Sequence, residues 1–531
     1  MKFVIVTGGV LSGLGKGVTS SSSGLLLQRA GFSVTAVKID PYLNIDAGTM
    51  NPYEHGEVFV MSDGAEVDLD LGNYERFLGA DLKSKHNITT GKVYKSVIEK
   101  ERRGDYLGQT VQIIPHIVNE IVGEIESAAE EAGAEICIVE LGGTVGDIES
   151  MPFLESVRQL TRKWGRDNVM TIHTTLVPVV GVVGEQKTKP TQHSIKELQS
   201  LGIRPDVVVA RSTDKLEEDI AGKIAFFADI PKEAVISAPD ADSIYHVPMM
   251  FVKQKLPEII MKRLKLKKKK PEMKEWMDFA NRVNEGSNEV EIAIIGKYTH
   301  LKDSYISHEE TLRYAGALRD CKVKIRWIEA PNIEECGNTK ELEGVDAVLV
   351  PGGFGSRGSE GKIMAANWAR ENGVPYLGVC FGFQLAIVEF VRNVLGMKGA
   401  NSTELNKKTK YPVITLLPEQ ENVKEMGATM RLGDHPVNVK DGKARDLYGS
   451  KKIEERHRHR FEVNPDMIEK IEEAGMKFTG RNPSGRRMEI CELDGHPYFV
   501  ASQFHPEFKS RPDAPSPLHL GLVEAAIRNK K

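Results

Sequence analysis

The sequence predicts an α/β protein built as two doubly wound, mostly parallel-sheet domains. Three observations carry that expectation. At 531 residues the chain exceeds what one hydrophobic core organises. Both halves alternate short Val/Ile-rich runs with helix-length segments, the pattern of parallel sheets covered by helices. A basic break from Lys262 to Lys274, with the run Lys267 to Lys270 followed by Pro271, separates the halves. Like charges repel and Pro271 interrupts helix, so the break reads as a solvated linker rather than an arm for nucleic acid. The expected division is residues 1–265, a basic linker over 266–289, and residues 290–531.

In the first half, Phe3 to Thr7, Ser33 to Ile39, Ile136 to Glu140, Met170 to Leu176 and Val207 to Ala210 are expected strands. In the second, Ile292 to Ile295, Lys322 to Ile328, Ala347 to Val350 and Tyr376 to Val379 take that part, with helices such as Val18 to Ala30 and Lys362 to Glu371 between strands. Ligands of such sheets bind beyond the carboxyl ends of the strands, which directs attention to strand-end residues.

Composition excludes several classes. Apolar residues make up 40% and charged residues 27%, ordinary for a water-soluble globular chain, and the formal net charge of −4 gives no global attraction to nucleic acid or anionic membrane. The five cysteines (Cys137, Cys321, Cys336, Cys380, Cys491) are scattered without a C-x-x-C pair, so neither a disulfide framework nor a cysteine zinc site is expected. The first apolar run stops at Gly8-Gly9 and reads as a buried strand rather than a signal peptide. No uninterrupted apolar stretch reaches the length of a membrane span. A cytoplasmic protein is the expectation.

Gly378-Val379-Cys380-Phe381-Gly382 ends one expected strand and opens the apolar helix Phe383 to Val391. That is a nucleophile elbow with cysteine in place of serine: flanking glycines permit the sharp turn, and the helix N-terminus favours thiolate. A second strand ends in Val350-Pro351-Gly352-Gly353-Phe354-Gly355, whose backbone N–H groups can line an oxyanion hole. Downstream, Phe504-His505-Pro506-Glu507 supplies an imidazole for proton transfer and a carboxylate to orient it. A lone glycine turn or a lone His-Pro-Glu would be structural; the three together point to thiol chemistry.

This set, in this order, resembles the class I glutamine amidotransferase domain, of flavodoxin-like fold, from about Val290 nearly to the C-terminus. The resemblance implies that Cys380 attacks the glutamine carboxamide, that the Gly353 and Phe381 N–H groups hold the oxyanion, and that His505, oriented by Glu507, protonates departing ammonia. It further implies glutamine contacts at Gly382, Phe383, Gln384, Glu404 and Arg460. Arg456-His457-Arg458-His459-Arg460 offers two histidines as an alternative metal site, but three cations repel a dication and zinc needs more ligands.

The first half opens with Gly8-Gly9-Val10-Leu11-Ser12-Gly13-Leu14-Gly15-Lys16-Gly17 between a strand and a helix, the context of a phosphate-binding loop. The strict pattern fails: Val10 stands at the first glycine and Gly17 replaces the metal-binding hydroxyl. Asp70 and Glu140 are then the natural oxygen ligands for a metal. Lys38 ends the second strand, and Lys187-Thr188-Lys189-Pro190-Thr191-Gln192 is a compact cationic, hydroxyl-bearing segment suited to a triphosphate.

The deviant loop, Val145-Gly146-Asp147-Ile148-Glu149, Lys187 to Gln192 and Asp242-Ser243-Ile244-Tyr245 resemble the CTP synthases, and with the glutaminase half the resemblance covers essentially the whole chain. It departs at Gly13, where many relatives carry a second serine. The resemblance implies a P-loop NTPase-like synthetase half, ATP-dependent amination of UTP through a 4-phosphorylated intermediate, Mg²⁺ with ATP, and no organic prosthetic group. It implies ATP contacts at Gly13, Leu14, Gly15, Lys16, Gly17, Val18, Asp70, Arg211, Asp240, Ala241 and Asp242. UTP or CTP contacts are implied at Ser12, Lys38, Asp147, Ile148, Glu149, Lys187 to Gln192 and Lys223. His55, after the Asn51-Pro52-Tyr53-Glu54 turn, would lie along a sheltered ammonia passage. GTP as activator, acting through Gly355 to Gly358 and Gly427 to Gly433, CTP as feedback inhibitor, and a homotetramer are likewise implied; filaments are compatible.

Two rival readings compete with this one. A cobyrinate-type amidase would share the two halves but needs no triphosphate cradle. A regulatory P-loop ATPase with a degenerate second half is opposed by intact Cys380, His505 and Glu507.

Overall fold

The computed structural model describes residues 1–181, 184–416, 420 and 429–530. They form two compact units, the first from Met1–Ile45 with Asn73–Ala280, the second from Asp46–Gly72 with the chain from Asn281 onward.

The first unit is wound on a seven-stranded sheet in the order Val235–Pro239, Val207–Ser212, Val169–Leu176, Lys2–Gly8, Ile136–Leu141, Val34–Asp40, Asn87–Thr89. Every pairing in it is parallel. Such strands are covered on both faces, which is why Phe3 to Val6 and Ile136 to Val139 are apolar without alternation and wholly buried. The chain departs to opposite sides of the Lys2–Gly8 strand, so the crevice expected at a topological switch lies at Gly8, where the glycine-rich loop begins. Lys16–Arg29 is the helix that follows.

The stretch read as a basic linker is only partly solvent-facing. Lys267 to Lys270 are exposed, but Lys274–Arg282 is a helix whose Trp276 and Phe279 are buried. Trp276 donates to the Tyr245 carbonyl and packs with Phe77, Tyr245 and Phe279.

The second unit holds a nine-stranded sheet that changes character halfway. Cys321–Glu329, Asn288–Gly296, Ala347–Val350, Tyr376–Val379 and Phe499–Ser502 are mutually parallel. Met488–Leu493, Met476–Arg481, Arg431–Val439 and Lys452–His459 continue it antiparallel. "Mostly parallel" thus describes the whole first sheet but only half of the second. Arg431–Val439 and Lys452–His459 are charge-rich and only partly buried, so they lack the buried Val/Ile run that marks a parallel strand.

Residues 46–72 leave the first unit and pack with the second. Val58–Val60 and Glu66–Asp68 pair as a short hairpin. Phe59 meets Phe508 at 5.1 Å between ring centres, and the fully buried Arg456 donates to the Val60 carbonyl at 3.0 Å. Glu66 takes an ion pair from Arg458 at 2.7 Å. Gly433, at φ 80°, is required here: a Cβ would stand 2.6 Å from the Gly64 nitrogen. No helix among the described residues is long and apolar enough to cross a membrane.

Candidate active site

Cys380 joins the buried strand Tyr376–Val379 to the helix Phe381–Asn393 with φ 53° and ψ −98°. A non-glycine residue there stores roughly 1–3 kcal/mol of backbone strain, which packing must hold in place. The flanking glycines make the packing possible. A Cβ on Gly378 would lie 2.8 Å from the Gly382 carbonyl oxygen, and one on Gly382 only 2.0 Å from that of Val350. The elbow is pinned by the Cys380 N–H donating to the Ser502 carbonyl at 2.7 Å.

His505 reaches this thiol from the turn after the Phe499–Ser502 strand. Its backbone N–H donates to the Arg456 carbonyl at 2.7 Å, its ring stacks on Phe508, and its Nδ1 lies 2.6 Å from Oε1 of Glu507. Burial opposes charging of His505, but Glu507 and Cys380 together raise its pKa to about 10. Burial likewise opposes ionisation of Glu507, yet His308 and His505 hold it down at about 2. The site is therefore built around an imidazolium, the form that returns a proton to a leaving amine. The sign follows: His505 keeps its proton below about 10 and loses it above. Glutamine hydrolysis is expected to fall on the alkaline side as that proton leaves. Glu507→Gln, which removes the charge holding it, moves the fall to lower pH; a pH profile of ammonia release checks both.

The Pro351–Gly355 loop is held by two buried lysines. Lys362 Nζ donates to the carbonyls of Pro351 at 2.8 Å and Gly352 at 3.2 Å; Lys297 Nζ donates to those of Phe354 and Gly355, both at 2.7 Å. Burial lowers Lys297 to about 8 and lowers Lys362 well below the usual lysine value. With these carbonyls tied back, the peptide planes of the loop are fixed, which an oxyanion hole needs. A Cβ on Gly352 would stand 2.9 Å from the His505 ring.

Cys380, His505, Glu507, Gly352, Gly353, Phe354 and Arg460 line one cavity of about 480 Å³. Gly48 to Met50, Pro52, Glu57 and Val58 of the 46–72 excursion line it too. Gln384 is buried beside it and donates to the Phe461 carbonyl at 2.9 Å, while the Glu404 carboxylate accepts from the Gly355 N–H at 2.6 Å; neither is among the cavity-lining residues. Phe381 faces both lysines, and Phe383 is core. Arg460 donates to Gln420 at 2.7 Å. In the Arg456–Arg460 run the buried His457 and His459 pair with each other at 3.0 Å. His55 ends the short Pro52–His55 helix and is exposed. Arg357 bonds the Lys297 carbonyl and covers Tyr298; Gly427 lies outside the described residues.

In the first unit, Gly13 and Gly15 have φ 75° and 79°, and Val10 reaches φ 81°, so the first glycine position keeps its glycine-like backbone without glycine. A Cβ on Gly9 would meet Ser194 Oγ at 1.6 Å. Lys16 donates to the Gly143 carbonyl at 2.8 Å. Gly13, Gly15, Val18, Arg211 and Ala241 border an apolar slot of about 240 Å³ floored by Ile244, Val247, Met250 and Phe251. Arg211 is fixed there by the Ala238 and Pro239 carbonyls and by Asp240 at 2.8 Å; Asp242 is exposed nearby. Ser12 is exposed, Leu14 buried, and Gly17 lies in the first turn of the helix.

Lys38 pairs with Glu140 at 2.9 Å, and the Tyr74 hydroxyl donates to the other Glu140 oxygen. Asp70 belongs to the other unit, near the start of the Leu69–Leu78 helix. Lys187 pairs with Glu185 at 2.7 Å just ahead of the helix Lys189–Ser200, which has Pro190 in its first turn; Thr188 accepts from Gln192, and Thr191 donates to the Leu176 carbonyl. Lys223 sits on the helix Glu218–Ala228 and interacts with the same Glu185. Asp147 caps the Thr144 N–H at 2.8 Å, and Ile148 and Glu149 follow in an exposed helical turn.

Sequence reading missed His308, His519, Lys297, Lys362 and the cavity wall from residues 48–58. The available signal was polarity out of place: the helix Ile306–Leu318 buries Ser307, His308, Glu309, Glu310 and Thr311 in its first half.

Comparison with known proteins agrees with both halves. Residues 2–266 match the family model described as CTP synthase N-terminus, and residues 300–525 match glutamine amidotransferase class-I. A CTP synthase of Thermococcus kodakarensis is 59% identical over 531 residues, covering 100% of this chain and 99% of that one. One of Archaeoglobus fulgidus is 56% identical over 532 residues, with 100% and 99% covered. Among solved structures, the glutaminase domain of Trypanosoma brucei CTPS with bound acivicin is 36% identical, covers 45% of this chain and 94% of that chain, and has a TM-score of 0.42. Matched along its full length at this identity, the chain belongs to the CTP synthase family.

Proposed function

We propose a division of labour, residue by residue, for the reaction this family membership assigns. The chain is a ligase of pyrimidine biosynthesis that aminates UTP to CTP with ammonia from glutamine, using ATP. In the glutaminase half, Cys380 attacks the carboxamide carbon and the Gly353 and Phe381 N–H groups stabilise the oxyanion. His505 gives its proton to the leaving ammonia, and water then cleaves the glutamyl thioester. The observation that carries this reading is the His505 Nδ1–Glu507 contact at 2.6 Å behind a strained, glycine-flanked thiol.

In the synthetase half, ATP phosphorylates O4 of UTP, ammonia attacks C4, and phosphate leaves. The slot of about 240 Å³ beside Gly13, Gly15 and Arg211 has the apolar walls and size for an adenine ring, with Lys16 near the phosphates. Lys187 to Gln192 precede and open a helix N-terminus, which suits the UTP triphosphate, with Lys223 alongside. Mg²⁺ with ATP fits Glu140: its hard oxygens suit the ion, and Mg²⁺ characteristically takes one or two carboxylates plus substrate phosphates. Bound there, it would neutralise phosphate charge; Lys38, now paired with Glu140, would be released toward phosphate. GTP activation, CTP feedback inhibition, a homotetramer and a cytoplasmic location complete the reading by family resemblance.

The test is direct. The protein with ATP, Mg²⁺, UTP and glutamine should yield CTP, faster with GTP added and slower with CTP added. CTP formation unmoved by GTP overturns the activator reading, and none without Mg²⁺ is expected.

A further inference from the structure

Behind Cys380, His505 and Glu507 the second unit buries two imidazoles that the reaction described above does not use. His308, on the helix Ile306–Leu318, and His519, on the helix Pro517–Asn529, are 2% and 0% exposed. Nε2 of His308 stands 3.3 Å from Oε1 of Glu507, the oxygen that also meets His505. Nδ1 of His308 is 3.0 Å from Nε2 of His519, and Nδ1 of His519 is 2.9 Å from the Ser516 hydroxyl.

Hydrogen-bond chemistry assigns every proton along this row. A carboxylate tolerates only an N–H beside it, so a neutral His308 carries its proton on Nε2 and its Nδ1 accepts. His519 must then donate from Nε2, its Nδ1 accepts, and the Ser516 hydroxyl donates into it. The row needs both rings neutral, and burial lowers His308 to about 4 and His519 to about 3. Oε2 of Glu507 is buried without a hydrogen-bond partner among the described residues, so this carboxylate leans on the two imidazoles at Oε1. The titratable groups interacting with Glu507 are His505 on its own turn, His308, His519 and Tyr448, the last bonded to Glu455; Cys380 and Lys362 act on His505 and His308 respectively.

We propose that His308, His519 and Ser516 are positioning residues: the hydrogen bonds from Ser516 through His519 to His308 hold the His308 Nε2–H 3.3 Å from Oε1 of Glu507, where it keeps that carboxylate ionised and aimed at His505. The proposal rests on the reading of Glu507 as the orienting carboxylate of the Cys380 site. An unsupported buried carboxylate takes up a proton at higher pH, and a protonated Glu507 no longer holds His505 charged.

The experiment is a pH profile of glutamine hydrolysis in the full chain, with ammonium-supported CTP formation as the check on folding. His308→Gln supplies an N–H toward Glu507 and an oxygen toward His519; His308→Leu supplies neither. Leu is expected to lower kcat by about tenfold or more with KM little changed, and to move the acid limb up by about one pH unit. Gln should restore the acid limb to that of the unchanged chain. An unshifted limb with Leu, or equal damage from Gln and Leu, overturns the proposal. Should Leu also lose ammonium-supported synthesis, Ser516→Ala decides: a smaller upward shift supports the row, and an unchanged limb overturns it. Glu507→Gln separates the two readings, because full glutamine hydrolysis in that variant sinks the orienting-carboxylate reading itself.

Discussion

Cys380→Ala is expected to abolish glutamine-supported CTP formation while leaving ammonium-supported formation within about twofold of the unchanged chain. Removing the nucleophile ends covalent catalysis, a loss of at least about a thousandfold. The backbone should survive, since alanine at φ 53° has no more Cβ substitution than cysteine and the glycines on either side remain. The strain at the elbow is borne by the surrounding sheet and helix, not by the sulfur. Measuring CTP with glutamine and, separately, with ammonium salts reads both halves at once. Loss with both nitrogen sources would mean that the two halves do not divide the work as proposed.

Lys16→Met should give the opposite pattern: CTP formation lost by roughly a hundredfold or more with either nitrogen source, and glutamine hydrolysis retained. Phosphoryl transfer depends on positioning and on neutralising charge, and Lys16 is the cation that the glycine loop carries into the crevice beyond the central strand. Its Nζ now rests on the Gly143 carbonyl, while Gly8 leaves the space that its side chain crosses, 2.6 Å from where a Cβ would stand. Methionine keeps that packing and removes only the charge. Substantial CTP formation by this variant would move the phosphate site elsewhere. Assaying hydrolysis and synthesis in both variants makes a cross-check in which each variant is the other's folding control.

The sequence alone determined the elements whose physics is local. Apolar runs such as Phe3 to Val6 and Ala347 to Val350 are strands because parallel strands are buried on both faces and leave a continuous signal. The glycines around Cys380 announce the elbow because the turn excludes any side chain there, as the 2.0 Å approach of Gly382 to Val350 makes plain. The two halves and the thiol chemistry expected of the second followed from those signals, whereas the nucleotide chemistry of the first half rested on the family resemblance.

Only the tertiary structure decided what depends on distance in space. Nothing local marks the antiparallel strands from Arg431 to Leu493, whose charged residues find partners far along the chain. That residues 46–72 pack with the second unit is settled by the buried Arg456 and by Arg458 reaching Glu66, contacts separated by nearly four hundred positions. Lys362, which ties back the Pro351–Gly355 loop, and the histidines behind Glu507 look like surface residues of ordinary helices when read in sequence, and Lys297 like the first residue of a loop after a strand. Burial turns them into fixed donors and neutral rings, because a polar group removed from water must find its hydrogen bonds within the protein.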